Sequence, residues 1–121
     1  MSNYSITSLF PFRRVKITNF FNIEEADLGS IYYVFLEPDQ RFTPICHECG
    51  SKAEGIHSWH NRHLRDLNIL GTKCKVVYHY RKIECPNCGI KVEKTNVTDP
   101  GGPQVTNRMA KYVHQLCQYM T

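Results

Sequence analysis

Apolar and polar residues are arranged so that strands are predicted over most of the chain. Two apolar-rich pieces, residues 20–26 and 31–36, flank the turn-forming residues 27–30, which is the pattern of a β-hairpin. The second piece consists almost wholly of β-branched and aromatic residues, so we expect it to be buried on both faces. Residues 1–19 show no sustained period and are predicted to be an irregular lead-in.

A second, longer hairpin is predicted between residues 55 and 84. Gly55 to Leu67 forms one arm, residues 68–72 with Gly71 form the turn, and Lys73 to Glu84 form the returning arm. On the returning arm, one set of side chains alternates with another: Cys74, Val76, Tyr78 and Tyr80 against Lys73, Lys75, His79 and Arg81. The alternation predicts one face that packs and one face that is basic.

The end of the chain changes character. Residues 90–97 are compatible with a short strand, and two Pro and two Gly within residues 99–103 end any regular element. Apolar residues then recur at helical spacing, at Met109, Tyr112, Val113, Leu116 and Met120. We therefore expect a β domain over 20–98, a linker over 99–105 and a helix over 106–121, capped by Thr106 or Asn107.

Two Cys-x-x-Cys-Gly motifs, which we call the knuckles, are the most specific feature. Cys46 with Cys49, and Cys85 with Cys88, each offer two thiolates from a tight turn, so together they predict a tetrahedral site for one structural zinc ion. A pair of disulfides, or four free thiols, is the first alternative. A rubredoxin-like iron centre is the second, because ligand softness does not separate iron from zinc.

Composition narrows the setting of this site. The chain has 121 residues, enough for one domain with a modest core, so a metal staple contributes usefully to stability. Six cysteines without an apolar run of signal-peptide length indicate a reducing compartment, and no segment is apolar enough to span a membrane. We expect a cytoplasmic protein with a net charge of +4.

The basic residues of the long hairpin are candidates for contacts with double-stranded DNA. Lys and Arg contact phosphates, and histidine or aromatic planes between them can stack near bases. The candidates are Arg62, His63, Arg65, Lys73, Lys75, His79, Arg81 and Lys82. A merely solvated hairpin surface is the alternative.

Other chemistry is weakly represented in the sequence. The four aspartates form no acid cluster, and no phosphate loop or nucleophile motif occurs, so we do not expect an enzyme or a small-molecule substrate. His57 and His63 share a strand face from which His60 points away, so a second metal site is not predicted.

The segment between the knuckles carries a family resemblance. His57-Ser58-Trp59-His60-x-Arg62-x-Leu64-Arg65-Asp66-Leu67, followed by Gly71 and by Arg81-Lys82-Ile83-Glu84-Cys85-Pro86-Asn87-Cys88-Gly89, resembles the N-terminal zinc finger of ISL-three family insertion-sequence transposases. The final helix is similar to the first helix of the helix-turn-helix that follows the finger in that family.

The resemblance implies a zinc-ribbon-like β domain that recognises the inverted repeats at transposon ends and has no catalytic activity by itself. The acidic catalytic domain of such transposases, and most of the helix-turn-helix, are expected to lie outside this sequence. A zinc-stapled protein-interaction module, including a homodimer through the final helix, is the alternative from another functional class.

Overall fold

The structure is a computed structural model that describes residues 10–27, 29–69, 71–102 and 104–119. It is mainly β with one C-terminal helix, as predicted. The elements are β1 (Val15–Glu25), β2 (Gly29–Pro38), β3 (Gly55–Ile69), β4 (Thr72–Cys85), β5 (Gly89–Val92) and α1 (Asn107–Tyr119). Residues 1–9 of the predicted lead-in, and the predicted helix end with Met120, lie outside the described residues.

The N-terminal hairpin is present, but its first strand begins earlier than predicted. β1 starts at Val15 rather than at Phe20, and Val15 pairs with Pro38 in antiparallel β2. The register shifts between Ile17 and Asn19. This irregularity interrupts the two-residue alternation, which explains why the sequence shows no strand period there.

The long hairpin is present, but its turn is shorter than the predicted 68–72, because β3 extends to Ile69 and β4 begins at Thr72. β3 and β4 pair antiparallel from Gly55 opposite Glu84 to Ile69 opposite Thr72. Gly71 occupies the turn at a φ of +80°, a backbone conformation that costs glycine little and other residues more.

The two hairpins join through a parallel pairing that the sequence did not predict. The strand order is β1-β2-β4-β3, and β5 pairs with β4. Residues 31–36 of β2 run parallel to residues 73–78 of β4, whereas β5 pairs with residues 82–85 of the same strand. β4 is therefore the central strand of the fold.

The face of β4 that is buried changes along its length. In the first half the buried side chains are Cys74, Val76 and Tyr78, and they belong to the main core. In the second half the buried residues are Arg81, Ile83 and Cys85, which point to the opposite side of the sheet. Ile83 and Cys85 form a separate small core with Cys46. One strand thus supports both the sheet and the cysteine site.

Backbone hydrogen bonds connect the segment before α1 to strand β3 of the long hairpin. The backbone of Arg65 accepts a hydrogen bond from Thr106 and donates one to Gln104, so residues 104–106 run along β3. α1 contacts β3 near its start, and residues 110–119 are exposed on all sides. The apolar side chains Tyr112, Val113 and Leu116 are each more than 40% exposed.

Candidate metal centre and nucleic-acid interface

The four predicted metal ligands converge. One Sγ from each of Cys46, Cys49, Cys85 and Cys88 lies within 4.8 Å of the others, and the Sγ atoms of Cys49 and Cys85 are 3.4 Å apart. Sulfur atoms around a tetrahedral zinc ion, each at about 2.3 Å from the metal, are separated by about 3.8 Å. The cluster therefore has the size of such a site, and it is the one group of this kind among the described residues.

Backbone geometry aims the thiols inward. In the first knuckle the amide of Gly50 donates to the carbonyl of Cys46 over 3.0 Å, and Gly50 has a φ of +75°. The second knuckle is the turn between β4 and β5, where Gly89 has a φ of +84°. Both glycines take the left-handed conformation that reverses the chain directly after the second ligand.

The crowding of thiols explains why a cation is needed. Hydrogen bonds from the Ser51 side chain and backbone lower the pKa of Cys49 to about 6, so this thiol ionises readily. A hydrogen bond with Cys49 and desolvation raise the pKa of Cys88 to about 12. Four thiolates at this spacing repel each other unless a divalent cation compensates their charge.

Comparison with known families supports this site. Residues 43–88 match the family model described as the zinc-finger of transposase IS204/IS1001/IS1096/IS1165. This segment is similar to a transposase zinc finger. No curated protein matches the chain, and no solved structure matches it either.

The matched finger decides between the metals. All four cysteines of the cluster lie within residues 43–88, so the site is a zinc site and not a rubredoxin-like iron centre. Four sulfur ligands leave no open position for water or substrate, hence zinc here is structural. A zinc finger is not the catalytic part of a transposase. In the described ranges, no helix has the length and apolar character needed to cross a membrane.

Part of the predicted basic set shares one uncovered face of the sheet. We call the side of the β3–β4 hairpin that is opposite the main core the outer face. Lys73, Lys75 and His79 point there from β4, and register places His63 beside them on β3. On the same side, the ring of Phe21 in β1 stacks on Tyr33 and packs at a tilt against Phe35, both in β2.

Arg81, by contrast, is not an exposed basic residue, and this prediction was wrong. Its side chain is 3% exposed, and the guanidinium makes two hydrogen bonds to the carboxylate of Glu93, at 2.6 and 2.8 Å. Alternation alone placed Arg81 with Lys73 and Lys75. At the zinc end of β4 that side of the sheet is covered by the segment carrying Cys46 and Glu93, which form a β-bridge.

Arg62 and Lys82 lie on the other side of the hairpin, away from the outer face. Both line a cavity of about 470 Å³ between the hairpin and the loop of residues 98–104. Arg62 donates to the carbonyls of Asp99 and Gly102 and to the side chain of Gln104, so it holds this loop in place. In the described part of the chain, the amine of Lys82 has no hydrogen-bond or ion-pair partner.

Arg65 lies on the outer face but is largely committed to its own strand pair. Its guanidinium donates to the carbonyls of Asp66 and Cys74 and to Asn68. Its positive charge remains beside Lys75, which is its direct cross-strand partner. Arg65 therefore adds charge to the outer face while keeping few donors for a ligand.

Two features of the hairpin were missed by sequence reasoning. Trp59 is 42% exposed and stacks on His79, with ring centroids 4.8 Å apart, at the edge of the outer face. Asp66 is fully buried and receives hydrogen bonds from Thr106 and Arg108. Nothing in the sequence near Arg108, which lies forty-two residues after Asp66, indicates that the two residues pair. The Arg-Asp-Leu segment was the only sequence feature that pointed to Asp66.

Proposed function

We propose that this zinc finger binds double-stranded DNA through its outer face and recognises the terminal inverted repeats of a transposon. The observation that carries the proposal is the cluster of Lys73, Lys75, His63 and His79 on one uncovered sheet face, next to exposed Trp59. Lysine amines supply the phosphate contacts that dominate affinity for DNA. The family match to a transposase finger supports the proposal that this DNA is a transposon end.

The role of zinc in this proposal is to hold the ends of the hairpin. Cys85 ends β4, the strand that carries Lys73 and Lys75, and Cys46 connects through its bridge to the strand segment after β5. Metal binding thus contributes folding free energy, on the order of 10 kcal/mol for such sites, to the element that presents the basic residues. We place this activity in the cytoplasm, because free thiolates need a reducing compartment.

The test compares the two faces of one strand. Lys73→Ala combined with Lys75→Ala removes two cations from the outer face, while Lys82→Ala removes one from the cavity side of the same strand. Affinity for transposon-end duplexes is measured by fluorescence anisotropy over a range of salt concentrations. If both lysines contact phosphates, the slope of log affinity against log salt falls by about two in the double variant, since each phosphate contact contributes about 0.9.

The Lys82→Ala variant is expected to keep the slope of the unmodified chain. Zinc content, measured for every variant, shows whether the fold is kept. Absence of duplex binding by the zinc-loaded chain at low salt refutes DNA binding. Equal binding to inverted repeats and to unrelated duplexes of the same length refutes recognition of transposon ends but keeps general DNA association.

The exposed stripe of α1 favours a second candidate function, self-association. Tyr112, Val113 and Leu116 form an apolar surface that the described residues leave uncovered. A two-fold pairing of this helix would bury the stripe against its own copy. Sedimentation equilibrium tests it: Leu116→Ser should abolish a concentration-dependent dimer, with Gln115→Ser as the control on the same helix, and a monomer at all concentrations excludes it.

A further inference from the structure

We propose that Asp66 is a positioning residue: it fixes α1 relative to the outer face, so that the finger and the helix meet DNA as one rigid body. The part that concerns DNA rests on the proposed function. The part that concerns the joint between hairpin and helix does not.

The joint is a buried carboxylate with three charge-assisted or hydroxyl donors. Thr106 Oγ1 donates to Asp66 Oδ1 over 2.7 Å, and Arg108 donates from Nε to Oδ1 over 2.8 Å and from Nη2 to Oδ2 over 2.6 Å. Asp66 is completely buried. The two-pronged contact fixes the direction of the guanidinium plane as well as its distance, which a single hydrogen bond would not do.

The same residues define where the helix begins. The hydroxyl of Thr106 also accepts a hydrogen bond from the amide of Met109 over 3.3 Å, so Thr106 is the N-cap of α1. The Arg108 guanidinium lies over the rings of Phe10 and Phe12, at 5.4 and 5.0 Å from their centroids. Asp66 is thus connected to the cap, the first turn and the N-terminal segment together.

The joint lies next to the outer face. Arg65, the neighbour of Asp66, has its side chain on that face, while its backbone pairs with residues 104 and 106 in front of α1. Beyond the first turn, α1 makes little contact with the sheet, and Lys111 is exposed on it. The direction in which Lys111 and the rest of the helix point is therefore set by the contacts at the start of α1, which are those at Asp66 and the hydrogen bonds of Asn107 with the backbones of Val97 and Asp99.

This arrangement explains the Arg-Asp pair in the segment between the knuckles. Neither side chain is needed for zinc binding, because the cysteines supply all four ligands. Instead, the Arg65 backbone and the Asp66 carboxylate accept hydrogen bonds from Thr106, and the Asp66 carboxylate also accepts them from Arg108. These partners lie about forty residues later in the chain. The pair is a joint in the hairpin rather than a direct DNA contact.

The first measurement uses distances and needs no DNA. A spin label on Cys117, which is exposed, and a second label on Glu24→Cys in β1 report the direction of α1 relative to the sheet. The other thiols are protected, four by zinc and Cys74 by burial. Asp66→Asn should replace a narrow distance distribution by a broad one. An equally narrow distribution at the same distance overturns the proposal.

Asp39→Asn is the matched control, because an arginine, Arg41, also bonds both carboxylate oxygens of Asp39, while in the described part of the chain the Asp39 side chain makes no hydrogen bond to α1. It should leave the distance distribution unchanged. If Asp66→Asn fails to bind zinc, Arg108→Lys serves instead: it keeps the charge but loses the two-pronged contact. A broad distribution is then expected, and an unchanged one overturns the proposal.

The second measurement compares the direction in which two substitutions change the affinity for DNA. Removing a negative charge should strengthen binding to polyanionic DNA if only electrostatics matters, and Asp39→Asn is expected to do so slightly. Asp66→Asn should instead weaken binding by about tenfold, because a mobile helix loses the benefit of a preorganised surface. Tighter binding by Asp66→Asn refutes the positioning role. No DNA binding by the unmodified chain refutes the proposed function and leaves the distance test standing.

Discussion

The buried pair of Arg81 and Glu93 gives the sharpest stability prediction. The two side chains are 3% and 2% exposed and are joined by two hydrogen bonds. Glu93→Gln keeps the shape but leaves the guanidinium buried without a counter-charge. Removing one partner of such a pair costs about 3–5 kcal/mol, a large fraction of the roughly 5–15 kcal/mol that stabilises a typical domain.

The assay is urea unfolding at a fixed free zinc concentration, since metal binding shifts apparent stability. Glu48→Gln is the control: its pair with Lys91 spans 3.3 Å with side chains 50% and 33% exposed, so the loss should stay below about 1 kcal/mol. Combining Arg81→Met with Glu93→Leu should restore most of the stability, because no charge is then left buried. The reasoning fails if Glu93→Gln costs less than about 1 kcal/mol, or if the double variant is no more stable than the single one.

Three further predictions concern zinc, thiols and a turn. Chelation of zinc should unfold the β domain, seen as loss of its circular dichroism, since metal binding contributes on the order of 10 kcal/mol; a chelated chain with an unchanged spectrum would contradict this. In the zinc-loaded chain at pH 8, alkylation followed by mass spectrometry should modify Cys117 quickly and Cys74 slowly, because burial raises the pKa of Cys74 to about 12; equal rates would contradict this. Gly71→Ala should lower the free energy of unfolding by about 1 kcal/mol because φ there is +80°, whereas Ala53→Gly, at an ordinary φ, is the control for the reverse change, and a neutral Gly71→Ala would show that the turn adapts.

The sequence predicted what depends on local pattern. The ligand set, both hairpins and the turn at Gly71 follow from spacing, alternation and glycine chemistry, which are encoded within a few residues. The start of β1 at Val15 was missed because a bulge breaks the alternation at Ile17. Local irregularity is therefore enough to hide a strand that tertiary pairing makes regular.

What the sequence could not predict are contacts between distant segments. The parallel pairing of β2 with β4 and the burial of Arg81 both depend on which segment covers a strand face, and period alone does not identify that segment. The same limit applies to Asp66, whose partners lie forty residues and more away. Charge on an alternating strand predicts the side to which a residue points, but not whether that side meets water.

The switch of buried face along β4 connects the zinc site with the proposed interface. Near Cys74 and Val76 the core lies on one side, so Lys73 and Lys75 emerge on the uncovered outer face. Near Cys85 the small core lies on the other side, and there Arg81 must be neutralised by Glu93. On this face, the basic residues that remain uncovered therefore lie along the half of β4 that is distant from the metal. The zinc ion stabilises the hairpin at one end, and the lysines available for DNA lie at the other.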